Sequence, residues 1–284
     1  MRETMRLEGA GVTLTADVAG PRDAQPVLFL HGGGQTRHSW KRALEQAARR
    51  GYHAISLDLR GHGDSDWSPE GSYSLQCFAG DLRAVIRTLE MPPVIVGASM
   101  GGLTGLIVAA SPPPSVAALV LVDVAARLES TGTQEIGAFM TSAPDGFASL
   151  EEAADAVASY LPHRPRPKDT SGLLRNLRLR EDGRYRWHWD PAFVRPLAHR
   201  ASPDPQLFEL AAASLKIPTL LVRGGLSRVV SEEGVAHFLD LAPHAEYVNV
   251  AGADHMVAGD ANDSFNAAVF DFLARHVPAR AKVD

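Results

Sequence analysis

The stretch VIVGASMGGL, residues 94–103, decides how this chain is read. An apolar run leads into Gly97-Ala98-Ser99-Met100-Gly101, a G-x-S-x-G pattern, and further glycine and apolar residues follow directly. The context is a strand that turns sharply into a helix. Such a turn forces the serine into a strained backbone conformation and lifts its hydroxyl above the sheet. The flanking glycines are needed because side chains there would collide with the neighbouring strand and helix. The competing reading is a glycine-rich turn with an incidental serine, and the rest of the chain arbitrates.

Outward from that stretch, short β-branched runs alternate with helical segments. PVLFL (26–30), HAISLDL (53–59), PVIVGA (93–98) and VAALVLVDV (116–124) are separated by SWKRALEQAARRG, SLQCFAGDLRAVIRTLE and GLTGLIVAAS. Apolar runs bounded by turns and interleaved with helices mark βαβ units on a parallel sheet buried on both faces. The alternation stops near Ala125 and resumes with PTLLVRG (218–224), VAHFLDLA, AEYVNVAG and SFNAAVFDFLARH. Between them, SLEEAADAVASYL opens with a capping-box spacing, Ser149 to Glu152, and carries apolar residues at helical intervals. The Pro-rich PHRPRPKD, the run GLLRNLRLRED and the aromatic cluster RYRWHWDPAF follow. The expectation is an α/β core made of 1–124 and 215–284, interrupted by a mostly helical insertion over 125–214.

Two further features favour a nucleophilic serine. His31-Gly32-Gly33-Gly34 directly follows the PVLFL strand. Consecutive glycines free backbone N–H groups to point at an oxygen that becomes negative in a tetrahedral transition state, and such donors are worth a few kcal/mol each. The Gly33 N–H and the Met100 N–H, just past the serine, are the candidate pair, with Gly32 and His31 beside the substrate. A phosphate cradle is the rival reading, but no Lys-Ser/Thr follows and Arg37 stands where a dinucleotide loop needs glycine. The second feature is AGADHMVAGD, where His255 lies after the last expected strand. A general base must titrate near neutrality, and histidine does.

With these motifs the chain resembles the α/β-hydrolase superfamily over essentially its whole length. HGGG at 31–34, DLRGHGDSD at 58–66, GASMGG at 97–102 and the ADHM histidine carry the resemblance. It implies an eight-stranded, mostly parallel sheet flanked by helices, with a helical cap after the sixth strand. It also implies Ser99 as nucleophile, His255 as base and an aspartate as the third member. DLRGHGDSD reads as a brace for the nucleophile loop, not as a catalytic set.

The family pattern usually sets the acid in the loop after the seventh strand. Here that loop reads Gly224-Gly225-Leu226-Ser227-Arg228, with Arg228 at the expected position. Glu232 and Glu233 lie close by, but Ser-Glu-Glu is also how a helix begins. In some branches the acid follows the sixth strand, which makes Asp123 the preferred candidate. Its alternative role is to cap the strand end or bind nearby backbone.

In the insertion, Phe139, Met140, Trp187 and Trp189 either line an apolar substrate pocket or pack among themselves. Residues 163–200 carry ten Lys/Arg against four Asp/Glu. Arginines on helical faces are usually solvated, so steering of an anionic substrate is the lesser reading.

Composition narrows the function classes. A chain of 284 residues with 45% hydrophobic content can bury a substantial core. Its net charge of -5 argues against nucleic-acid or membrane-surface binding. The start lacks a secretory apolar region, and no run approaches the roughly 18 apolar residues of a membrane span, so a cytoplasmic location is expected. Cys77, the sole cysteine, allows no intrachain disulfide or thiolate metal cage and reads as a packed thiol. No metal-ligand spacing or nucleotide loop is present, so neither metal nor cofactor is expected, and a homodimer stays open. The reading is a cofactor-independent serine hydrolase acting on a small-molecule carboxylic ester or lactone. Alternatives are C–C bond or amide hydrolysis or perhydrolysis with the same machinery, and a ligand-binding protein on the same fold.

Overall fold

A computed structural model describes residues 2–162, 166, 168–195, 205–255 and 262–279. Eight strands form one sheet: β1 (Arg2–Glu8), β2 (Thr13–Ala19), β3 (Pro26–Leu30), β4 (His53–Leu57), β5 (Val94–Ala98), β6 (Ala118–Val122), β9 (Thr219–Gly224) and β10 (Glu246–Val250). Their spatial order is β1-β2-β4-β3-β5-β6-β9-β10. β2 is antiparallel to both β1 and β4, and all other pairings are parallel.

The central strands read as continuous apolar runs because helices cover both faces. PVLFL of β3 and ALVLV of β6 are buried at every position. On one face α1 (Lys41–Arg49) and the C-terminal helix α9 (Asn262–His276) enclose Phe29, Trp40, Val120, Phe265 and Phe272. On the other, α2 (Leu75–Ile86), α3 (Met100–Ala109) and α8 (Glu232–Leu241) enclose Leu28, Leu82, Leu106, Leu119 and Phe238. Serine caps start these helices where the sequence supplies them. Ser74 accepts from Cys77 N–H and Ser231 from Gly234 N–H, satisfying donors that a helix start leaves unpaired. The Cys77 thiol is half-buried, 3.2 Å from the hydroxyls of Ser72 and Ser74.

The first two strands carry no clear strand pattern in the sequence. β1 is an edge strand, RETMRLE, whose polar residues leave it largely exposed, and β2 buries Thr15 and Asp17 among its apolar residues. Neither gives a clean apolar run.

Between β6 and β9 lies an insert. It holds α4 (Ser130–Thr141), α5 (Leu150–Tyr160), a two-stranded antiparallel hairpin of β7 (Leu177–Leu179) and β8 (Tyr185–Trp187), the short α6 (Pro191–Val194) and α7 (Pro205–Ser214). The Ser149 hydroxyl caps α5 as the spacing requires, accepting from Glu152 N–H at 3.1 Å. The Glu152 carboxylate reaches back to Ala148 N–H. The hairpin adds a short strand pair, absent from the sequence reading, to an otherwise mostly helical segment. Arg178 alternates with Leu177 and Leu179 about a turn at Gly183, and three residues per strand are too short for the period-2 pattern to stand out. Among the described residues no helix is long and apolar enough to cross a membrane.

Candidate active site

Parallel strands β3, β5, β6 and β9 end along one edge of the sheet, and the sequence-selected residues gather there. Only two non-glycine residues among those described have positive φ, Ser99 at 46° and Asp123 at 48°. Such backbone is costly for residues with a Cβ and persists only where surrounding structure enforces it. Each follows directly on its strand, β5 and β6, which lie side by side.

Ser99 sits on the turn between β5 and α3, its N–H donating to Val122 C=O at 3.2 Å and its C=O accepting from Leu103 N–H at 2.9 Å. The glycines around it have no room for side chains. A Cβ on Gly97 would lie 2.6 Å from the Gly101 backbone, and one on Gly101 would lie 2.5 Å from Leu30 C=O. The helix start is thus pressed against the end of β3. A Cβ on Gly32 would lie 3.3 Å from Ser99 Cβ, so the glycine loop adjoins the serine.

Asp123 is fully buried. Its Oδ1 accepts from Gly224 N–H at 3.0 Å. Its Oδ2 accepts from the Ser227 hydroxyl at 2.6 Å and faces His255 Nδ1 at 2.7 Å. The Ser227 Oγ in turn accepts from Val229 and Val230 N–H, each at 3.1 Å. The β9–α8 loop, where the family pattern usually sets the acid, therefore holds the carboxylate of the neighbouring strand. Ser227 was missed in the sequence because a lone loop serine carries no signal of its own.

The alternatives to Asp123 face elsewhere. Arg228 is exposed and pairs with Glu135 of α4, and Gly132 of the same helix lies so close that a Cβ there would meet Arg228 C=O at 2.2 Å. Glu232 pairs with Arg223 at 2.9 Å and lies in the first turn of α8.

The glycine loop is set by its hydrogen bonds. His31 is fully buried; Leu59 N–H donates to its Nε2 at 3.0 Å, so Nδ1 carries the proton and donates to Gly32 C=O at 2.7 Å. Gln35 N–H also donates to Gly32 C=O, at 3.1 Å. A trans peptide directs its C=O and N–H to opposite sides. Anchoring Gly32 C=O thereby fixes the direction of Gly33 N–H, which has no hydrogen-bond partner among the described residues. Met100 N–H, at the start of α3, likewise has none among them. The His31 ring is committed on both nitrogens and does not face a substrate, which corrects the expectation that it lies in the binding surface. Burial pushes it down to about 4, so it is neutral near pH 7.

The DLRGHGDSD residues are engaged in bracing. Arg60 forms a buried two-pronged pair with Asp81, at 2.6 and 2.7 Å. Asp58 and Asp64 both bind Arg37, and His62 Nε2 accepts from Gly34 N–H at 3.1 Å.

The insert lies directly on the glycine loop. A Cβ at Gly34 would lie 3.1 Å from both Met140 Cε and a Trp189 ring carbon, and one at Gly33 would lie 3.5 Å from Phe193. Trp189 stacks on Trp187 at 5.0 Å between centroids, Trp187 meets Phe139 at 5.7 Å, and Phe139 stacks on Tyr160 at 4.2 Å. Packing within the insert and covering the loop are therefore the same arrangement. The aromatic row ends at an open cavity of about 890 Å³ lined by Phe139, Tyr160, Phe147, Glu135, Arg184 and Arg228. Ser99, Asp123 and His255 do not line it. Burial and the carboxylates of Asp254 and Glu135 push the Tyr160 phenol up to about 12, which sets this end of the row near the residue preceding His255. Among the described insert arginines, Arg186 pairs with Asp182 and Arg166 with Asp155 within the insert, and Arg178 pairs with Asp64 of the core. Among the described residues no group of three His, Cys, Asp or Glu side chains could hold a metal ion.

Comparison with known proteins identifies the fold family. The model of the family described as alpha/beta hydrolase fold matches residues 25–261. The chain is 32% identical over 246 residues to the esterase Rv0045c of Mycobacterium tuberculosis, covering 84% of this chain and 78% of that protein. It is 30% identical over 261 residues to the sn-1-specific diacylglycerol lipase ABHD11 of Mus musculus, covering 87% and 80%. Among solved structures, E-2-(acetamidomethylene)succinate hydrolase superposes with a TM-score of 0.82 at 25% identity, over 96% of this chain and 99% of that one. The chain belongs to the alpha/beta hydrolase fold family.

Proposed function

We propose that this protein is a cofactor-independent serine hydrolase that cleaves a carboxylic ester or lactone through an acyl-enzyme. The observation that carries this reading is the buried Asp123 carboxylate held 2.7 Å from His255 Nδ1, beside the strained turn that presents Ser99. The kinship with an esterase and a diacylglycerol lipase supports ester cleavage.

In this mechanism His255 Nε2 takes the proton of Ser99 Oγ as that oxygen bonds to the substrate carbonyl carbon. The carbonyl oxygen becomes negative and accepts from Gly33 and Met100 N–H, donors already oriented before substrate arrives. Asp123 keeps the Nδ1 proton in place and stabilises the imidazolium. Collapse breaks the bond to the leaving oxygen, which receives the proton from His255. Water, deprotonated by His255, then attacks the acyl carbon, releasing the carboxylic acid and restoring Ser99. The insert acts as a cap, with Met140, Trp187, Trp189 and Phe139 as an apolar wall for the substrate.

Superposition on an (acetamidomethylene)succinate hydrolase favours amide cleavage as the second reading, with the same residues in the same roles. The test is turnover of p-nitrophenyl acetate and butyrate, a lactone panel and an N-acyl panel by wild type and Ser99→Ala. Ester or lactone turnover that Ser99→Ala abolishes supports the proposal. Turnover of N-acyl compounds alone favours the second reading, and wild-type activity no greater than that of Ser99→Ala contradicts both.

A further inference from the structure

The glycine loop beside Ser99 is inherently loose, since three successive glycines carry little steric preference. Its shape is set by the groups that hold it. Gly34, at φ 75°, is gripped at both of its polar groups by histidines. Its N–H donates to His62 Nε2 at 3.1 Å, and His62 Nδ1 donates to Arg60 C=O at 3.0 Å. Its C=O faces His188 Nε2 at 3.3 Å, and Gly63 N–H donates to His188 Nδ1 at 2.7 Å. That second bond leaves the His188 proton on Nε2, where it serves Gly34 C=O. The rings of His31, His62 and His188 form a file, 5.1 and 5.8 Å between centroids. His62 and His31 come from the core, but His188 is 125 residues from Gly63 and belongs to the insert, just after β8.

This part of the insert is fastened to the 58–66 loop at several points. Asp190 N–H donates to Gly61 C=O at 2.9 Å, Tyr73 donates to the Asp190 carboxylate, and Arg178 pairs with Asp64 at 2.9 Å. His188 is thus the link through which a docked insert reaches the glycine loop.

We propose that His188 is a positioning residue for the reaction: it holds Gly34 from the insert side while His62 holds it from the core side, so that a seated insert stiffens the turn that carries the Gly33 N–H. The proposal rests on the reading of Gly33 as an oxyanion donor. Seating of the insert and stiffening of the loop become one event, and an enzyme with its insert displaced is poorly active even with Ser99, His255 and Asp123 intact.

The experiment compares wild type with His188→Gln, His188→Asn and His188→Ala by ester kinetics and by hydrogen–deuterium exchange of the segment 31–36. Glutamine carries a donor at the ε position and keeps the bond to Gly34 C=O. Asparagine keeps only the acceptor for Gly63 N–H, and alanine keeps neither. The expected result is a kcat about 10- to 100-fold lower in His188→Asn and His188→Ala, with KM within about threefold of wild type, and rescue by His188→Gln. Exchange in segment 31–36 is faster in the Asn and Ala variants and near wild type in Gln. Equal kcat in all four proteins, or loss that Gln does not rescue, overturns the proposal. If wild type itself turns over no ester, the functional reading fails, and the exchange data still decide the clamp: unchanged exchange in His188→Ala refutes it, faster exchange restored by Gln supports it.

Discussion

Acidification from pH 7 to pH 5 is expected to destabilise the protein steeply through its file of buried histidines. Burial pushes His31 down to about 4, and burial with the neighbouring His31 pushes His62 down to about 3, from an ordinary value of 6.5. Burial also holds His188 well below that value. In the unfolded chain each histidine takes up most of a proton over this interval, whereas in the folded protein His31 and His62 stay largely neutral. The unfolded state thus binds more protons, and stability rises with pH through this window. The stabilisation is fully present above about 6.5 and is lost as pH falls toward 4. At about 1.4 kcal/mol per proton and pH unit, integration from pH 7 to pH 5 gives about 2 kcal/mol for each of His31 and His62. The sum, about 4 kcal/mol, is a large share of the 5–15 kcal/mol by which domains are usually stable. The assay is urea unfolding followed by tryptophan fluorescence at both pH values, in wild type and in His62→Asn. The variant loses one titrating group, so its difference between pH 7 and pH 5 shrinks by about 2 kcal/mol whatever its absolute stability. An equally steep dependence in His62→Asn, or a wild-type change below about 1 kcal/mol, refutes the reasoning.

Three further outcomes follow from the site. Asp123→Asn reduces kcat on p-nitrophenyl butyrate by about 10⁴, the scale seen when a serine-protease histidine loses its acid, while Glu232→Gln stays within about threefold; comparable losses in both variants would contradict the placement of the acid. Ser227→Ala removes one donor from the Asp123 carboxylate and lowers kcat by roughly 10- to 100-fold, the range expected when a hydrogen bond to a charged group worth 1.5–3 kcal/mol is lost, with KM as the control that stays constant. Gly101→Val does not yield soluble folded protein, because its Cβ would lie 2.5 Å from Leu30 C=O; a cooperative thermal transition at the wild-type temperature would show that the turn has more room than described.

Much of this architecture is legible in the sequence where chemistry is local. The elbow at Ser99 depends on residues within two positions of it, so G-x-S-x-G after an apolar run reveals the turn as well as the serine. β3, β5 and β6 are buried on both faces, and their unbroken apolar runs mark them. What the sequence conceals is chiefly what depends on distant partners. Asp123 is recognisable only as an aspartate at a strand end; its approach to His255 depends on the order β6-β9-β10, which brings residues 132 positions apart into contact. His62 and His188 look like any of the 11 histidines until Gly34 and Gly63 are folded against them. The β7–β8 hairpin is hidden by its brevity, and Ser227 by the ordinariness of a loop serine.

The proposed reaction requires Ser99 to be an activated nucleophile served by His255 and Asp123. The most direct measurement is the rate and site of fluorophosphonate labelling, read by peptide mass spectrometry in wild type, Ser99→Ala and Asp123→Asn. The expected result is a single adduct on Ser99, none in Ser99→Ala, and labelling slowed by at least about 100-fold in Asp123→Asn. Wild-type protein that resists the probe, or an adduct at any other residue, would contradict it.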